Sequence, residues 1–430
     1  MKNAILDRSP IIEQLSDGLT IIAQQMPVEA VNLNLWIDVG SALESDRING
    51  MAHFLEHMVF KGTDRLENGE FERLIEEKGA VTNAATSQEY THYYITTAPK
   101  YFAELAPLQL DVVLNPNLAE DAFEREKSVI LEEIRRSQDS PSRRSFQLAM
   151  ETCFESLPYR RPILGKAAII ENLRSQQMRD FHDYYYQPKS LVASVVGNLP
   201  AEKSIKIVAE GYELVKGKTI AQNQKTISKK QNILPAEAPF NSIVRREYSD
   251  PKLQQARLIL LWRVPGMAEL EKTYALDVLA AILGQGRMSR LFRELREDKK
   301  LVDRISASNI SQTIQGCFYI SAMLPSKNLA ETEKEIIDRI RKIQNEPIAT
   351  KDIDRIRTKV ANRFIFANER PASRANLYGY YYSLFRDLEP AFKYCDRIQA
   401  LEALDLQEAA REYLNPDAYG VVIIRPEITN

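Results

Sequence analysis

The chain has little of several things that would point to whole classes of protein. Cysteine is nearly absent: Cys153, Cys317 and Cys395 are the only three in 430 residues, far apart and without a CxxC pair. That excludes a disulfide framework and leaves free thiols in a reducing compartment as the expectation. Long hydrophobic runs are missing too. The longest largely apolar stretches, such as Ala275–Leu283, fall well short of the ~20 residues that a membrane-crossing helix needs. Charge of one sign is not in excess. With 57 basic and 59 acidic residues the formal charge is -2, which argues against nucleic acid or an anionic membrane as partner. Met1–Gln25 lacks the apolar core of a signal peptide and the Arg/Ser-rich bias of a transit peptide, so a cytoplasmic protein is expected. Histidine is scarcer than its usual share, with four residues in all.

Two of those four stand together in His53-Phe54-Leu55-Glu56-His57. On a helix, positions i and i+4 share a face, so both imidazoles can reach one metal ion, with Glu56 beside them. This is the inverted order of the zinc peptidase motif. A zinc site that does chemistry keeps three protein ligands and one open position. The amphipathic segment Ala119–Gln138 offers the third. Glu126 and Glu133 are two helical turns apart and share a face with Val129 and Ile130, which is expected to point inward. Glu132 is turned about 100° away, among Arg125, Ser128, Arg135 and Arg136. An inward carboxylate is costly unless paired or metal-bound, so Glu133 is read as the ligand and Glu126 as the partner behind it. The other histidines read as structural: His92 as a packed strand residue, His182 as half-exposed.

The chain says much the same thing twice. Ala30–Gly40 and Ala256–Gly266 both read as strands ending in glycine, and they carry the only tryptophans, Trp36 and Trp262, at an offset of 226 in the numbering. Tyr184–Pro188 and Tyr413–Pro416 each lead into a further strand, and their prolines stand at nearly the same offset. A tandem duplication follows, with an N-terminal domain 1–215, a polar linker 216–239 and a C-terminal domain 240–430. In each half strands alternate with amphipathic helices (Phe71–Lys78, Ala119–Gln138, Gln176–Tyr185, then Lys272–Leu283, Leu329–Asn345, Ile353–Asn368), which predicts an α+β fold with a sheet covered by helices.

The run His53-Phe54-Leu55-Glu56-His57-Met58-Val59-Phe60-Lys61-Gly62-Thr63 resembles the active-site signature of the insulinase/pitrilysin (M16) family, close to the mitochondrial processing peptidases and their bacterial relatives. In that family the third ligand is a glutamate at a set spacing beyond the second histidine, and that spacing falls here on Glu133. Another family glutamate, two helical turns earlier, matches Glu126. The resemblance implies two homologous halves, each a mainly antiparallel sheet covered by helices, joined as a clam-shell, with one Zn²⁺ in the first half only. It implies a zinc endopeptidase for short unfolded peptides or targeting segments, with Glu56 as general base on a zinc-bound water. It also implies that an extended peptide adds to the strand around Asn83, Ala84, Ala85 and Thr86.

One departure stands out. Many active relatives place an arginine and, two helical turns on, a tyrosine against the substrate carbonyl. Here those positions are Arg296 and Asp303, and a carboxylate cannot donate to a developing oxyanion. The expectation is a heterodimer whose homologous metal-free subunit supplies the Arg/Tyr pair, a homodimer being the other arrangement. The competing reading is a non-catalytic structural subunit of the same fold.

Overall fold

The computed structural model describes residues 9–216 and 234–427, so most of the linker read at 216–239 lies outside the described residues. The chain forms two compact units. Unit 1 comprises Met1–Arg135, Pro162–Gln231 and Arg363–Phe392; unit 2 comprises Arg136–Arg161, Asn232–Asn362 and Lys393–Asn430.

Unit 1 is built on a six-stranded sheet of β1 (Ile11–Gln14), β2 (Thr20–Gln25), β3 (Val31–Ile37), β4 (Val81–Thr86), β5 (Thr91–Thr97) and β6 (Leu191–Gly197), in the order β1-β2-β6-β3-β5-β4. Only β2 and β6 run parallel. Unit 2 repeats the design with β7 (Val244–Asp250), β8 (Ala256–Pro265), β9 (Arg304–Ile310), β10 (Gln315–Leu324) and β11 (Gly420–Pro426), in the order β7-β11-β8-β10-β9. Again only one pair, β7 and β11, is parallel. The tryptophans hold matching places: Trp36 on β3 pairs with His92 on β5, and Trp262 on β8 pairs with Phe318 on β10. The duplication is therefore one of topology, and the α+β expectation holds in both halves. The six amphipathic segments are all helical, within three residues of the expected ends.

Strands β3 and β6 are buried along their whole length, which fits their near-continuous apolar sequence. Leu33 and Leu35 face a large core shared with the helices Phe102–Leu114 and Ala201–Val215. Trp36, Val192 and Val196 face the opposite way, onto Ala375 and Tyr378 of the helix Pro371–Phe385. That helix comes from the second half of the sequence. Its counterpart in the first half, Pro141–Cys153, packs on β8 and β11 of the second sheet. The packing units thus differ from the contiguous stretches 1–215 and 240–430. Each central strand pair is apolar on both faces, and the helix covering the second face is contributed by the other half of the chain. The approach is close: a Cβ on Gly379 would sit 2.0 Å from the Trp36 indole nitrogen, so only glycine fits there. Among the described residues no helix is long and apolar enough to cross a membrane.

Candidate active site

The motif histidines lie on a helix of eight residues, Met51–Met58, whose apolar members Phe54, Leu55 and Met58 are fully buried. This leaves His53 and His57, one turn apart, on the opposite side with Glu56 between them. The helix Glu120–Asp139 runs past them, anchored by buried Phe123, Ile130 and Ile134. It brings the Glu133 carboxylate to 3.5 Å from His53 Nε2 and 3.7 Å from His57 Nε2. Among the described residues these three form the one cluster with metal-ligand spacing, their donor atoms all within 4.8 Å of one another. Two imidazole nitrogens and one carboxylate oxygen are a donor set that catalytic zinc takes.

Second partners differ between the two histidines. His57 Nδ1 lies 2.9 Å from Glu126 Oε1, and Lys61 Nζ sits 2.8 Å from the other Glu126 oxygen. This fixes the tautomer that leaves His57 Nε2 free to bind a metal. Burial disfavours the His57 cation, but the Glu126 contact outweighs it and raises the pKa. Burial likewise works against the Glu126 anion, which the bonds from His57 and Lys61 nonetheless hold below the usual carboxylate range. His53 has no such partner: its Nδ1 is buried and unpaired. Burial, reinforced by neighbouring His57, pushes its pKa down to about 3, so its ring stays neutral.

Glu56 accepts a 2.6 Å hydrogen bond from the Thr86 hydroxyl on β4. Its pKa is raised, chiefly by burial, with the Thr86 bonds and His57 working the other way. Strand β4 is the outermost strand of its sheet and alternates between exposed and half-buried residues, with Val81, Asn83 and Ala85 outward.

Most of the helix-phase reasoning survives. Glu126 is buried and Glu132 pairs with Arg135 at the surface. Val129, expected to point inward, is 44% exposed; the apolar contacts fall on Ile130 and Ile134 instead. His92 is packed in β5, stacked on Trp36 and 3.0 Å from Asn34 Oδ1. His182, expected to be half-exposed, is buried, because its helix turns it onto the Val113 carbonyl at 3.0 Å. Asn83, Ala84, Ala85 and Thr86 fall together on β4. Arg296 belongs to unit 2, where it lies exposed, 3.1 Å from Glu297 and over the Phe292 ring. Asp303 accepts a 2.5 Å hydrogen bond from Gln255. Sequence reasoning missed Lys61 and the Thr86–Glu56 bond; the pairing of β4 beside the motif helix was the signal it lacked.

Two family models cover the chain in sequence. Residues 19–167 match insulinase (peptidase family M16), and residues 172–360 match the peptidase M16 inactive domain. The chain belongs to the M16 peptidase family. A zinc protease from Rickettsia felis whose function is uncharacterized is 29% identical over 96% of this chain and 97% of its own. The zinc protease PqqE of Helicobacter pylori is 27% identical over 96% of this chain and 92% of its own. The crystal structure of a protease from Helicobacter pylori superposes with a TM-score of 0.90 at 26% identity, covering 97% of this chain and 100% of that one. The M16 homology makes a metallopeptidase the class of this chain, and the His53/His57/Glu133 cluster is a fitting metal site.

Proposed function

We propose that the chain is a zinc endopeptidase in which His53, His57 and Glu133 hold one zinc ion and Glu56 is the general base. The convergence of those three donor atoms beside a half-buried carboxylate carries the reading. A zinc ion held by these three residues would supply Lewis-acid chemistry, polarising a peptide carbonyl and acidifying a bound water. Glu56, held by Thr86, would accept the proton of the attacking water and pass it to the leaving amine. Burial supports this role, because a raised pKa makes the carboxylate a better base near neutral pH. Glu126 fixes His57 and has no contact with the reacting atoms.

The substrate is an extended peptide that pairs with the free edge of β4 around Asn83 and Ala84. An exposed strand edge selects segments whose own backbone is unpaired, and thus unfolded peptides or targeting segments. Asp303, in place of a donor, supports work in a dimer with a homologous metal-free subunit that supplies the Arg/Tyr pair. The test is to purify the chain from its native host with whatever co-purifies. Zinc content and cleavage of short unfolded peptides are then measured, with and without the partner. One zinc per chain and chelator-sensitive cleavage that needs the partner is expected. Zinc-free chain, or cleavage indifferent to chelator, overturns the reading; full activity of the chain alone overturns the division of labour.

A further inference from the structure

The motif helix begins where a short helix would be expected to fail. Eight residues are about two turns, marginal on their own, and the first backbone N–H groups have no partner within the helix. The preceding residue, Gly50, has φ +101 and no side chain to cap them. A carboxylate from outside the helix does it. Glu44, 4% exposed, accepts from the Gly50 N–H at 2.8 Å, the Ala52 N–H at 2.7 Å and Asn49 Nδ2 at 2.9 Å. Asn49 Nδ2 also donates to the Pro162 carbonyl at 3.1 Å. Gly165 closes the other side: a Cβ on it would lie 2.3 Å from the Asn49 carbonyl oxygen.

Two observations tie this collar to the metal site. First, the bonded N–H of Ala52 immediately precedes His53, the histidine whose Nδ1 is buried without a partner. His57 is oriented by Glu126, whereas His53 has no hydrogen-bonded partner behind its ring, so the backbone that carries it bears more on its aim. Second, unit 2 lacks the device. The offset between the two tryptophans carries Glu44 to Leu270, the first residue of the continuous helix Leu270–Gly284, and neighbouring Glu269 is exposed and paired with Lys272. That helix carries Leu279 and Leu283 where unit 1 has His53 and His57.

We propose that Glu44 is the positioning residue of the metal-binding helix, holding its first turn so that His53 keeps its aim toward Glu133. A negative group at a helix N-terminus is favoured by the helix dipole, and bonds from N–H to an ionised acceptor are among the stronger ones. The inference rests on the zinc reading above.

Zinc affinity of the full chain, measured by competition with a chromophoric chelator well below the melting temperature, tests it. Glu44→Gln turns a donor toward N–H groups that need an acceptor, and should weaken zinc binding by about tenfold, the scale of losing one hydrogen bond to a charged acceptor. Asn49→Ala removes one of the Glu44 contacts and the link to Pro162, and should weaken zinc binding by a smaller factor. Ile340→Val, a core change in unit 2, should lower the melting temperature and leave the zinc Kd alone. An unchanged zinc Kd in folded Glu44→Gln, or in Asn49→Ala should Glu44→Gln not fold, overturns the proposal. Wild-type chain that binds no zinc sinks the functional reading itself, so the two failures are distinct.

Discussion

In unit 1 the stretch after β3 breaks into two short 3-10 turns, Ser41–Leu43 and Asp46–Ile48, before the eight-residue motif helix. In unit 2 the same stretch after β8 is one short turn and then a fifteen-residue helix. The tryptophan offset carries His53, Glu56 and His57 to Leu279, Ile282 and Leu283, all fully buried. It carries Glu133 to Lys359, whose Nζ donates to the Gln285 carbonyl at 3.0 Å. In both units a cation meets the corresponding carboxylate, though not from the corresponding position. Lys61 meets Glu126 at 2.8 Å in unit 1, and Arg290 meets Asp352, the counterpart of Glu126 at the same offset, at 3.2 Å in unit 2. The difference separates two jobs that one helix pair can do. A cation on that carboxylate suits the packing of either unit, while the histidines, the base and Glu133 are confined to the unit whose helix is interrupted.

The largest effect should come from making unit 1 lose only its base. Glu56→Gln keeps the size and the acceptor for Thr86 but cannot take a proton. Its kcat should fall by roughly 10²–10⁴-fold, the usual contribution of a positioned acid–base group, with zinc content unchanged. Normal turnover by the assembled enzyme carrying this change would mean that the motif glutamate is a structural residue, as Ile282 is in unit 2.

The exchanged helices give the next test. Gly379→Ala should cost about 1–3 kcal/mol, the range for overpacking, because the new methyl meets the Trp36 ring. The melting temperature of the full chain reads this directly. A negligible shift would show that the helix Pro371–Phe385 can move off β3 without loss.

The parts legible in the sequence were those set by local period. Helix phase put His53 and His57 on one face and separated Glu133 from Glu132, because i, i+4 and i, i+7 relations need no tertiary knowledge, while the family spacing joined Glu133 to the histidines. Alternation and the paired tryptophans were enough to infer two like sheets. The exchange of Pro141–Cys153 and Pro371–Phe385 was not legible, since both helices look like members of their own half and only the second apolar face of the strands demands them. Glu44 and Thr86 were hidden for a related reason. Each acts through a contact with a residue distant in sequence or on another element, and each alone looks like an ordinary loop acid or strand threonine.

A third test compares two half-buried carboxylates, each bonded from the edge strand of its own sheet. Glu56 receives Thr86 from β4; Asp277 receives Asn309 Nδ2 from β9 at 2.9 Å. Burial raises the Asp277 pKa to about 6, against the bonds from Asn309 and Tyr394. No metal cluster lies near it among the described residues. A folded pKa above the unfolded value means that the native state holds the proton more tightly. The resulting stability is fully present below about pH 4 and is lost as pH rises through about 6. Asp277→Asn should therefore stabilise the chain at pH 7.5 by roughly 3 kcal/mol, and the gain should vanish near pH 4. Melting curves across that range check it; a gain independent of pH would place the origin elsewhere.

The smallest effect bears most closely on what distinguishes the two edges. Thr86 pairs with Thr91 on β5, and its counterpart by register is Ile310, which pairs with Cys317 on β10. Thr86→Val makes the first edge resemble the second while keeping a β-branched residue on the strand. It removes the hydroxyl bond to Glu56 but leaves the backbone N–H bond that Thr86 also gives it. A loss of one neutral-to-charged hydrogen bond with the other retained should lower kcat by about 3–10-fold, with KM and zinc content unchanged. If KM rises instead while kcat holds, Thr86 serves uniform binding of the peptide rather than orientation of the base. The two roles proposed for β4, holding the substrate and holding Glu56, then separate at this one side chain.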